Sequence, residues 1–233
     1  MRLATWNCSN GRVLEKYKLF MGLKPDVGVL QEVNDAIEKL KEPNCVWCPP
    51  KRVAGKEIGK KGLAIVTAPG YRAEPQTAVD SAQWSVVPVK VFGPEYELRL
   101  LAVWARVETA YIEGVHHAIE QYAGFLAGGP SVVMGDFNAN PIWDDQHSPN
   151  FTQTKDLLAS QFRLRSAYHT HTGDAFGKER KPSYFFWWKK ERPFHIDYCF
   201  VPESWKIMDV VIDHDEKWAI SDHRPLVVDA RVD

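Results

Sequence analysis

Residues 132–140 read VVMGDFNAN, a short apolar run that is followed by a pair of polar residues. The apolar run is typical of a buried strand, and the glycine after it ends the strand. Asp136 and Asn138 lie two positions apart, so in an extended segment both side chains point to one side while Phe137 turns into the protein. A carboxylate suits a hard metal ion, and an amide suits a phosphate oxygen. An ordinary Asp/Asn turn produces the same pattern, so this stretch alone leaves both interpretations open.

Four other predicted strands carry polar residues of the same kind at or near one end. These residues are Asn7, Glu32, Asp197 and the pair of Asp222 with His223. Some have ordinary explanations, because Asn7 can cap a turn and Glu32 can favour the first turn of a helix. Asp197 lies inside an alternating apolar strand, where a buried carboxylate needs a partner. Taken together, the five places predict one shared polar site.

Length and composition predict one globular domain. The chain has 233 residues, 45% of them hydrophobic, which is enough for one sizeable core. Its sequence shows no linker-like, repetitive or low-complexity segment, so we expect a single domain over residues 1–233. The formal net charge is −1, whereas proteins that depend on the long-range field of DNA are often strongly basic. Local basic clusters at residues 51–61 and 178–181 are nevertheless compatible with a nucleic-acid partner.

The sequence also bears on location and redox state. No apolar run is long enough for a membrane helix, and the first residues run into polar sequence without the hydrophobic segment of a signal peptide. Two of the four cysteines fall in predicted core strands, which is typical of reduced, buried thiols. Cys45 and Cys48 have CxxC spacing, but no second ligand pair follows for a zinc site. We therefore expect a cytoplasmic protein without a membrane span.

Apolar periodicity predicts many strands with a few helices between them. Helices are expected over residues 12–23, 111–126 and 152–162. Residues 71–78 and 168–181 are expected to be irregular. Strands are expected over, among others, residues 84–92, 98–104 and the aromatic segment 183–188. This pattern predicts an α/β (α+β) sandwich, in which two mostly antiparallel or mixed sheets pack face to face with helices outside.

Five short motifs occur along the chain, namely TWN at 5–7, LQEV at 30–33, GDFN at 135–138, HIDY at 195–198 and SDH at 221–223. In this order and spacing they resemble the endonuclease/exonuclease/phosphatase superfamily, which includes DNase-I-like and exonuclease-III-like nucleases, deadenylases, inositol polyphosphate 5-phosphatases and neutral sphingomyelinases. The resemblance spans nearly the whole chain. It implies a DNase-I-like four-layer α/β-sandwich and cleavage of a phosphoester bond that depends on Mg²⁺ or Mn²⁺.

The resemblance also implies a metal site. Glu32 is then the main metal ligand with Asn7 in support, and Asp222 lies close to the ion, directly or through water. Mg²⁺ commonly takes one or two protein carboxylates and keeps several waters, so a small ligand set is expected. Some nucleases of the family carry an acidic residue where this chain has Ser9, two residues after the asparagine. We therefore expect one ion rather than two.

A second set of residues matches the catalytic positions of the family. By this resemblance Asp136 orients or deprotonates the attacking water, and Asn138 holds a phosphate oxygen. His223 contacts the phosphate, and Asp197 fixes the ring and tautomer of His223. Asn7 belongs to this set as well as to the metal site. Phosphodiester cleavage needs a base, an in-line water, and donors or positive charge on the phosphate oxygens, which this set supplies.

Two tryptophans are expected to contact the substrate. Many relatives carry His or Tyr near the scissile phosphate where this chain has Trp104, and an indole N–H donates a hydrogen bond but does not act as a general acid. Tyr111 and His116 are the nearest replacement donors in the sequence. Trp143 follows the GDFN motif and is the main candidate for stacking on a base. The aromatic segment 184–188 is either core or a second stacking surface.

Three functions are compatible with the sequence. The favoured one is a nuclease or nucleotidyl phosphodiesterase that acts on DNA or RNA. The alternative is a phosphatase or phosphodiesterase for a small phosphorylated molecule, such as a nucleotide or an inositol phosphate, which the near-neutral charge supports. The third is a binding module with a lapsed site, for which Trp104 is the only support. We expect a monomer in each case.

Overall fold

Two six-stranded sheets packed face to face form the core of the structure. The computed structural model describes residues 1–49, 52–53, 56–57, 60–76 and 85–232 of the chain. The strands are β1 (Arg2–Asn7), β2 (Val27–Val33), β3 (Cys45–Cys48), β4 (Arg52–Val53), β5 (Lys56–Glu57), β6 (Gly62–Thr67), β7 (Arg72–Pro75), β8 (Val86–Phe92), β9 (Glu97–Trp104), β10 (Ser131–Asp136), β11 (Leu164–Ser166), β12 (Tyr184–Phe185), β13 (Pro193–Phe194), β14 (Asp197–Pro202), β15 (Lys206–Ile212) and β16 (Leu226–Arg231). The helices are α1 (Val13–Met21), α2 (Tyr111–Gln121), α3 (Ala123–Leu126), α4 (Phe151–Phe162) and α5 (Ala167–Thr172), with 3-10 turns at Asp35–Leu40, Val107–Thr109, Pro141–Gln146, Phe186–Trp188 and Glu216–Ile220.

Each large sheet has one parallel pair of strands at its centre. The first sheet has the strand order β15-β16-β1-β2-β6-β3, and the second has the order β11-β14-β10-β9-β8-β7. The pairs β1–β2 and β9–β10 are parallel, whereas the pairs that flank them are antiparallel. A parallel pair needs a crossover connection. Helix α1 lies in the first crossover, and α2 and α3 lie in the second.

Four layers result from this packing. Side chains on the facing sides of the sheets, such as Leu3, Leu100 and Met134, form the inter-sheet core. Helix α1 covers the outer side of the first sheet, where Phe20 packs into a second core. Helices α2 and α4 cover the outer side of the second sheet, with Ile119 in a third core. The predicted four-layer α/β-sandwich with two mixed sheets is therefore confirmed.

Several local predictions are wrong. Part of the segment expected to be irregular forms the edge strand β7, whose half-exposed residues give no apolar alternation. Part of the expected loop at 168–181 forms α5, a single short helix of mostly polar residues. The expected aromatic strand stops after Phe185, because the backbone turns and Trp187 adopts a left-handed conformation (φ 55°).

Two further predictions need adjustment at their boundaries. The helix expected over residues 111–126 is interrupted at Tyr122, whose φ and ψ of −94° and 17° leave the helical region between α2 and α3. The strand expected over residues 84–92 is described from Val86 onward. Trp84 and Lys51 lie outside the described residues, as do the side chains of Arg52 and Lys56 in the basic cluster at 51–61. Among the described residues, no helix is long and apolar enough to cross a membrane.

A buried polar network fastens the segment that follows α5 to the second sheet. Glu179 accepts hydrogen bonds from Nε2 of His169 (3.1 Å) and from the backbone N–H of Gly177 (2.9 Å). Asn140, in the segment between β10 and the turn at Pro141–Gln146, donates to both oxygens of Glu179 (3.3 and 3.2 Å) and to the backbone oxygen of His195 (3.0 Å). Burial alone would raise the pKa of Glu179, but these hydrogen bonds lower it to about 2. The network therefore favours the charged carboxylate and ties three segments together.

Replacing Gly135 by alanine is expected to destabilise the fold. Gly135 has a φ of 146°, and a Cβ there would lie 1.9 Å from the backbone oxygen of Val103 on β9. Backbone strain and overpacking each cost roughly 1–3 kcal/mol, so urea unfolding should show a loss of at least about 2 kcal/mol. Gly124→Ala in α3 is the control, because a Cβ there meets nothing within 4 Å. Equal stability of the two variants would contradict the assigned strand register.

Replacing Glu179 by glutamine is expected to weaken the fold in a pH-dependent manner. The carboxyl has a folded-state pKa below its ordinary value of 4.5, so its contribution is present above pH 4.5 and is lost as the pH falls toward 2. The free energy of unfolding of Glu179→Gln should therefore be lower than that of wild type at pH 7, and the difference should shrink below pH 4.5. Glu203→Gln at a half-exposed ion pair is the control. A difference that is constant with pH would show that Glu179 acts by packing alone.

Candidate active site

The polar strand ends predicted from the sequence meet at one edge of the two sheets. Parallel strands end at the same edge, so Asn7 at the end of β1 lies beside β2, and Asp136 at the end of β10 lies beside Trp104 of β9. Strand β14 runs antiparallel to β10 and pairs Asp197 with Asp136. The segment before β16, which contains His223, returns to the end of β1 in the same way. The topology therefore collects residues from four strands in one cleft.

Glu32 reaches this cleft through a β-bulge. The pairing of β2 with β6 shifts register between Leu30 and Val33, and Glu32 lies in the left-handed region with a φ of 59°. Regular alternation would place Glu32 on the same side as Leu30, which packs on the outer side of the sheet. The bulge re-aims the side chain. Its carboxylate contacts Nδ2 of Asn7 (3.4 Å) and the ammonium of Lys61.

Asp136 is the hydrogen-bonding centre of the cleft. Its Oδ2 accepts from Nδ2 of Asn7 (2.9 Å) and from Nδ2 of Asn138 (3.2 Å), and its Oδ1 accepts from the backbone N–H of Asn138 (2.8 Å). Asn138 has a φ of 45°, so the segment is not extended beyond the strand, although Phe137 is buried as predicted. The Asn138 amide also donates to the backbone oxygen of Ala105 (2.8 Å). Two amides therefore hold one buried carboxylate.

His223 and Asp197 form a buried pair beside Asp136. Nδ1 of His223 donates to Oδ2 of Asp197 (2.9 Å), and Nε2 of His223 lies 4.0 Å from Oδ2 of Asp136. The hydroxyl of Ser221 accepts from the backbone N–H of His223 (3.1 Å) and donates to the backbone oxygen of Asn7 (2.7 Å). The indole N–H of Trp6 donates to the backbone oxygen of His223 (3.1 Å). The backbone on both sides of the cleft is thus fastened together.

Burial and neighbouring charges change the proton affinities of this cluster. Burial, with the negative charge of Asp197 adding to it, raises the pKa of Asp136 to about 7. Burial alone would lower the pKa of His223, but the charges of Asp197 and Asp136 and the hydrogen bond to Asp197 raise it to about 10. The surroundings therefore favour the protonated form of His223 and make ionisation of Asp136 less favourable than in water. A carboxyl group and an imidazole suited to proton transfer lie side by side.

The donor atoms of the cleft fit a hard divalent cation. Glu32 presents a carboxylate at the cleft, and Oδ1 of Asp222 is buried without a hydrogen-bond partner among the described residues. Oxygen donors of this kind suit Mg²⁺ or Mn²⁺. The oxygen of Asn7 accepts from the backbone N–H of Ser9 (2.8 Å), so ligation by Asn7 requires the opposite amide orientation.

A second grouping of possible ligands lies deeper in the cleft. Ligand atoms of Asp136, Asp197 and His223 all lie within 4.8 Å of one another. Most of these atoms already have partners, because Nδ1 of His223 is engaged by Asp197 and both oxygens of Asp136 accept amide hydrogen bonds. Glu32 and Asp222 therefore offer the more accessible oxygen donors for a cation.

Two cavities flank the cluster, and both are lined by Asn138 and Tyr111. The larger, of about 890 Å³, is aromatic and contains the half-buried Trp143, whose ring lies 4.9 Å from that of Phe194. Its lining also includes Tyr184, Phe186, Arg192, His147 and Ile196. The smaller, of about 320 Å³, contains Trp104 beneath the guanidinium of Arg106, 4.2 Å from the ring centroid. Trp104 and Trp143 therefore line different cavities that share Asn138.

The structure separates the two replacement donors, Tyr111 and His116, and places three further histidines. Tyr111 lies at the cleft, whereas His116 hydrogen-bonds Thr154 of α4 (3.1 Å) on the outer side of the second sheet. His169 belongs to the Glu179 network, and Nε2 of His171 lies 3.6 Å from Oδ1 of Asp209. His147 lines the aromatic cavity.

Sequence reasoning missed Lys61, Ser221 and Tyr184 as members of the site. Lys61 was noted only within a basic cluster, because its approach to Glu32 depends on the pairing of β6 with β2, which has no local signal in the sequence. Tyr184 packs on the ring of His223 with centroids 4.5 Å apart. Ser221 stands in the SDH motif, but its hydrogen bonds join segments that are distant in the sequence.

Comparison with solved structures supports the fold. The catalytic domain of human Nocturnin with bound sulfate is similar, with a TM-score of 0.67 and 18% identity over 99% of this chain and 94% of that one. An endonuclease/exonuclease/phosphatase from Bacteroides vulgatus is similar with a TM-score of 0.70 and 17% identity, over 100% and 98% of the two chains. The Neisseria 3′ phosphatase NExo, bound to a product DNA hairpin, has a TM-score of 0.66 and 17% identity over all of both chains.

Comparison with curated protein sequences gives no match. The sequence profile of the Endonuclease/Exonuclease/phosphatase family matches residues 4–223, which include all five motifs. The fold and the shared edge of the two sheets agree with this match. The chain therefore belongs to the Endonuclease/Exonuclease/phosphatase family.

Proposed function

We propose that this protein is a divalent-metal-dependent phosphodiesterase whose preferred substrate is a nucleic acid. The observation that carries the proposal is the close approach of Asp136 and His223, with 4.0 Å between Asp136 Oδ2 and His223 Nε2. Asp136 is held by the amides of Asn7 and Asn138, and His223 is held by Asp197. Members of this family act on phosphoester bonds as hydrolases.

The chemistry follows from the proton affinities of the cluster. Asp136 accepts the proton of the attacking water, because burial brings its pKa close to 7. Protonated His223 neutralises charge on the phosphate, and Asp197 keeps its ring in place. The side-chain amide of Asn138 donates two hydrogen bonds. The longer one, to Oδ2 of Asp136 (3.2 Å), is the one that a phosphate oxygen replaces most easily. Glu32 and Asp222 would hold one Mg²⁺ or Mn²⁺, which supplies further positive charge at the phosphate.

The cavities on either side of Asn138 support a nucleotide substrate. Trp143 and its aromatic neighbours offer flat apolar surfaces on which a base can stack. Arg106, Lys60 and Lys61 line the other cavity and offer positive charge to a backbone phosphate. The Neisseria NExo structure contains a product DNA hairpin. These features favour DNA or RNA over other phosphoesters.

A small phosphorylated molecule is the second candidate. The net charge of −1 provides little long-range attraction for a polyanion. The aromatic cavity, at about 890 Å³, is large enough for a single nucleotide. Salt dependence separates the two candidates, because binding to a polyanion releases counterions and weakens steeply with salt. A lapsed binding module is a weaker candidate, since the residues of the cluster are complete.

Loss of the acid–base pair is expected to abolish most of the activity. Asp136→Asn and His223→Ala should each lower turnover by at least about 10²-fold while the protein stays folded. His223→Ala should also lower the melting temperature, because buried Asp197 loses its partner. The measurement is the rate of hydrolysis of a panel of substrates in Mg²⁺, in Mn²⁺ and in EDTA. The substrates are bis-p-nitrophenyl phosphate, single- and double-stranded DNA, an abasic duplex, RNA and inositol phosphates. Asp209→Asn, at an exposed strand position, is the control.

The outcomes of this panel differ clearly. Metal-dependent cleavage of a nucleic acid that disappears in Asp136→Asn supports the proposal. Cleavage of small phosphoesters alone supports the second candidate. Activity close to wild type in either active-site variant would overturn the assignment of the cluster.

A further inference from the structure

We propose that Lys61 is a built-in counter-ion of Glu32 that a divalent cation must displace, so that the cation and the substrate phosphate bind cooperatively. This inference rests on the proposed metal site at Glu32. Lys61 lies outside the five family motifs. Its ammonium contacts Oε2 of Glu32, while Oε1 of the same carboxylate faces Nδ2 of Asn7 (3.4 Å).

The register of the first sheet places Lys61 next to Glu32. Gly62, the first residue of β6, pairs with Val33 at the end of the bulge in β2. The backbone at Gly62 is also fixed from its other side, because a Cβ there would lie 2.2 Å from the backbone oxygen of Cys48 on β3. A residue held between two strands leaves its neighbour little freedom. Lys61 therefore leaves the sheet at the position where the bulge turns Glu32 into the cleft.

This ion pair differs from an ordinary surface pair. The side chains of Lys61 and Glu32 are 34% and 21% exposed, and both line the smaller cavity together with Trp104 and Asn138. An ion pair at an exposed surface contributes little because water screens it. Here the partial burial of both side chains reduces that screening, so each charge depends more strongly on its partner than at an open surface. Lys60 lines the same cavity but is exposed, which makes it a matched reference.

Cooperativity follows from the exchange of partners. A divalent cation needs the carboxylate oxygens of Glu32, one of which Lys61 occupies. When the cation takes that oxygen, the ammonium of Lys61 is left in a half-buried cavity without its anion, which is unfavourable. A tetrahedral oxyanion at Asn138 satisfies it, and in turn draws Lys61 away from Glu32. Cation and oxyanion then strengthen each other by the same factor, as linkage requires.

The test measures Mn²⁺ binding without turnover, by the electron paramagnetic resonance signal of free Mn²⁺, with sulfate as the oxyanion and chloride at equal ionic strength as reference. In wild type, sulfate should tighten Mn²⁺ binding by at least about five-fold. Lys61→Met and Lys61→Gln should bind Mn²⁺ more tightly than wild type in chloride, by at least about five-fold, and should lose the sulfate effect. Lys61→Arg keeps the charge and should keep the coupling.

Lys60→Met removes one positive charge from the same cavity and measures the general electrostatic effect. If Lys61→Met and Lys60→Met change Mn²⁺ affinity and sulfate coupling equally, or if wild type shows no coupling, the counter-ion role of Lys61 is wrong. Glu32→Gln separates this result from a failure of the metal site. Mn²⁺ binding that survives Glu32→Gln unchanged would overturn the proposed metal site itself, and with it this inference.

Discussion

The two parallel strand pairs at the centres of the packed sheets are the constraint on which the site depends. A parallel pair ends at one edge, and the antiparallel neighbours begin or end there as well. Face-to-face packing of the sheets then brings the ends of β1, β2, β9 and β10 together. No loop needs to fold back over the sheet to deliver Asn7 or Asp136. The positions of the polar groups are therefore set by the hydrophobic core beneath them.

Burial of so many polar groups at one edge has an electrostatic cost, and the cluster shows how it is met. Isolated buried carboxylates would take up protons. In the cleft, Asp197 is compensated by the imidazolium of His223, whereas Asp136 receives only amide donors and a more distant cation. The two carboxylates, on neighbouring strands, therefore have different partners. Burial raises the pKa of Asp136, and its amide donors and the more distant His223 offset this only in part.

The sandwich and the residues of the cleft were predictable from the sequence, because each motif contains an apolar run that predicts a strand and a polar residue at the end of that strand. Asp136, Asp197 and His223 could be grouped in advance, since all stand next to apolar runs. The side-chain direction of Glu32 was not predictable, because a bulge overrides alternation and depends on pairing with β6. Lys61 became part of the site through the same pairing. Contacts between strands that lie 30 residues or so apart have no local signature.

The short helix α5 and the Glu179 network were missed for a related reason. A histidine, a glutamate and an asparagine spread over 40 residues carry no periodic signal, and their meaning depends on burial. The polar composition of residues 168–181 is typical of an exposed loop. In the folded protein the side chains of His169 and Glu179 are buried and contact each other, whereas Thr170, Lys178 and Arg180 are exposed. Composition alone does not distinguish the interior polar residues from the exposed ones.

The Asn140 hydrogen bonds have a consequence for ligand recognition. Asn140 caps the turn that carries Trp143 by accepting from the backbone N–H of Ile142 (3.2 Å), and it is itself anchored to Glu179 and His195. One wall of the aromatic cavity is thereby shaped before any ligand arrives. A pre-organised wall loses little conformational entropy on binding, so affinity depends on how well a ring fits the existing space. Selectivity among bases would then arise from the fixed shape of this wall and not from a rearrangement of the wall around each ligand.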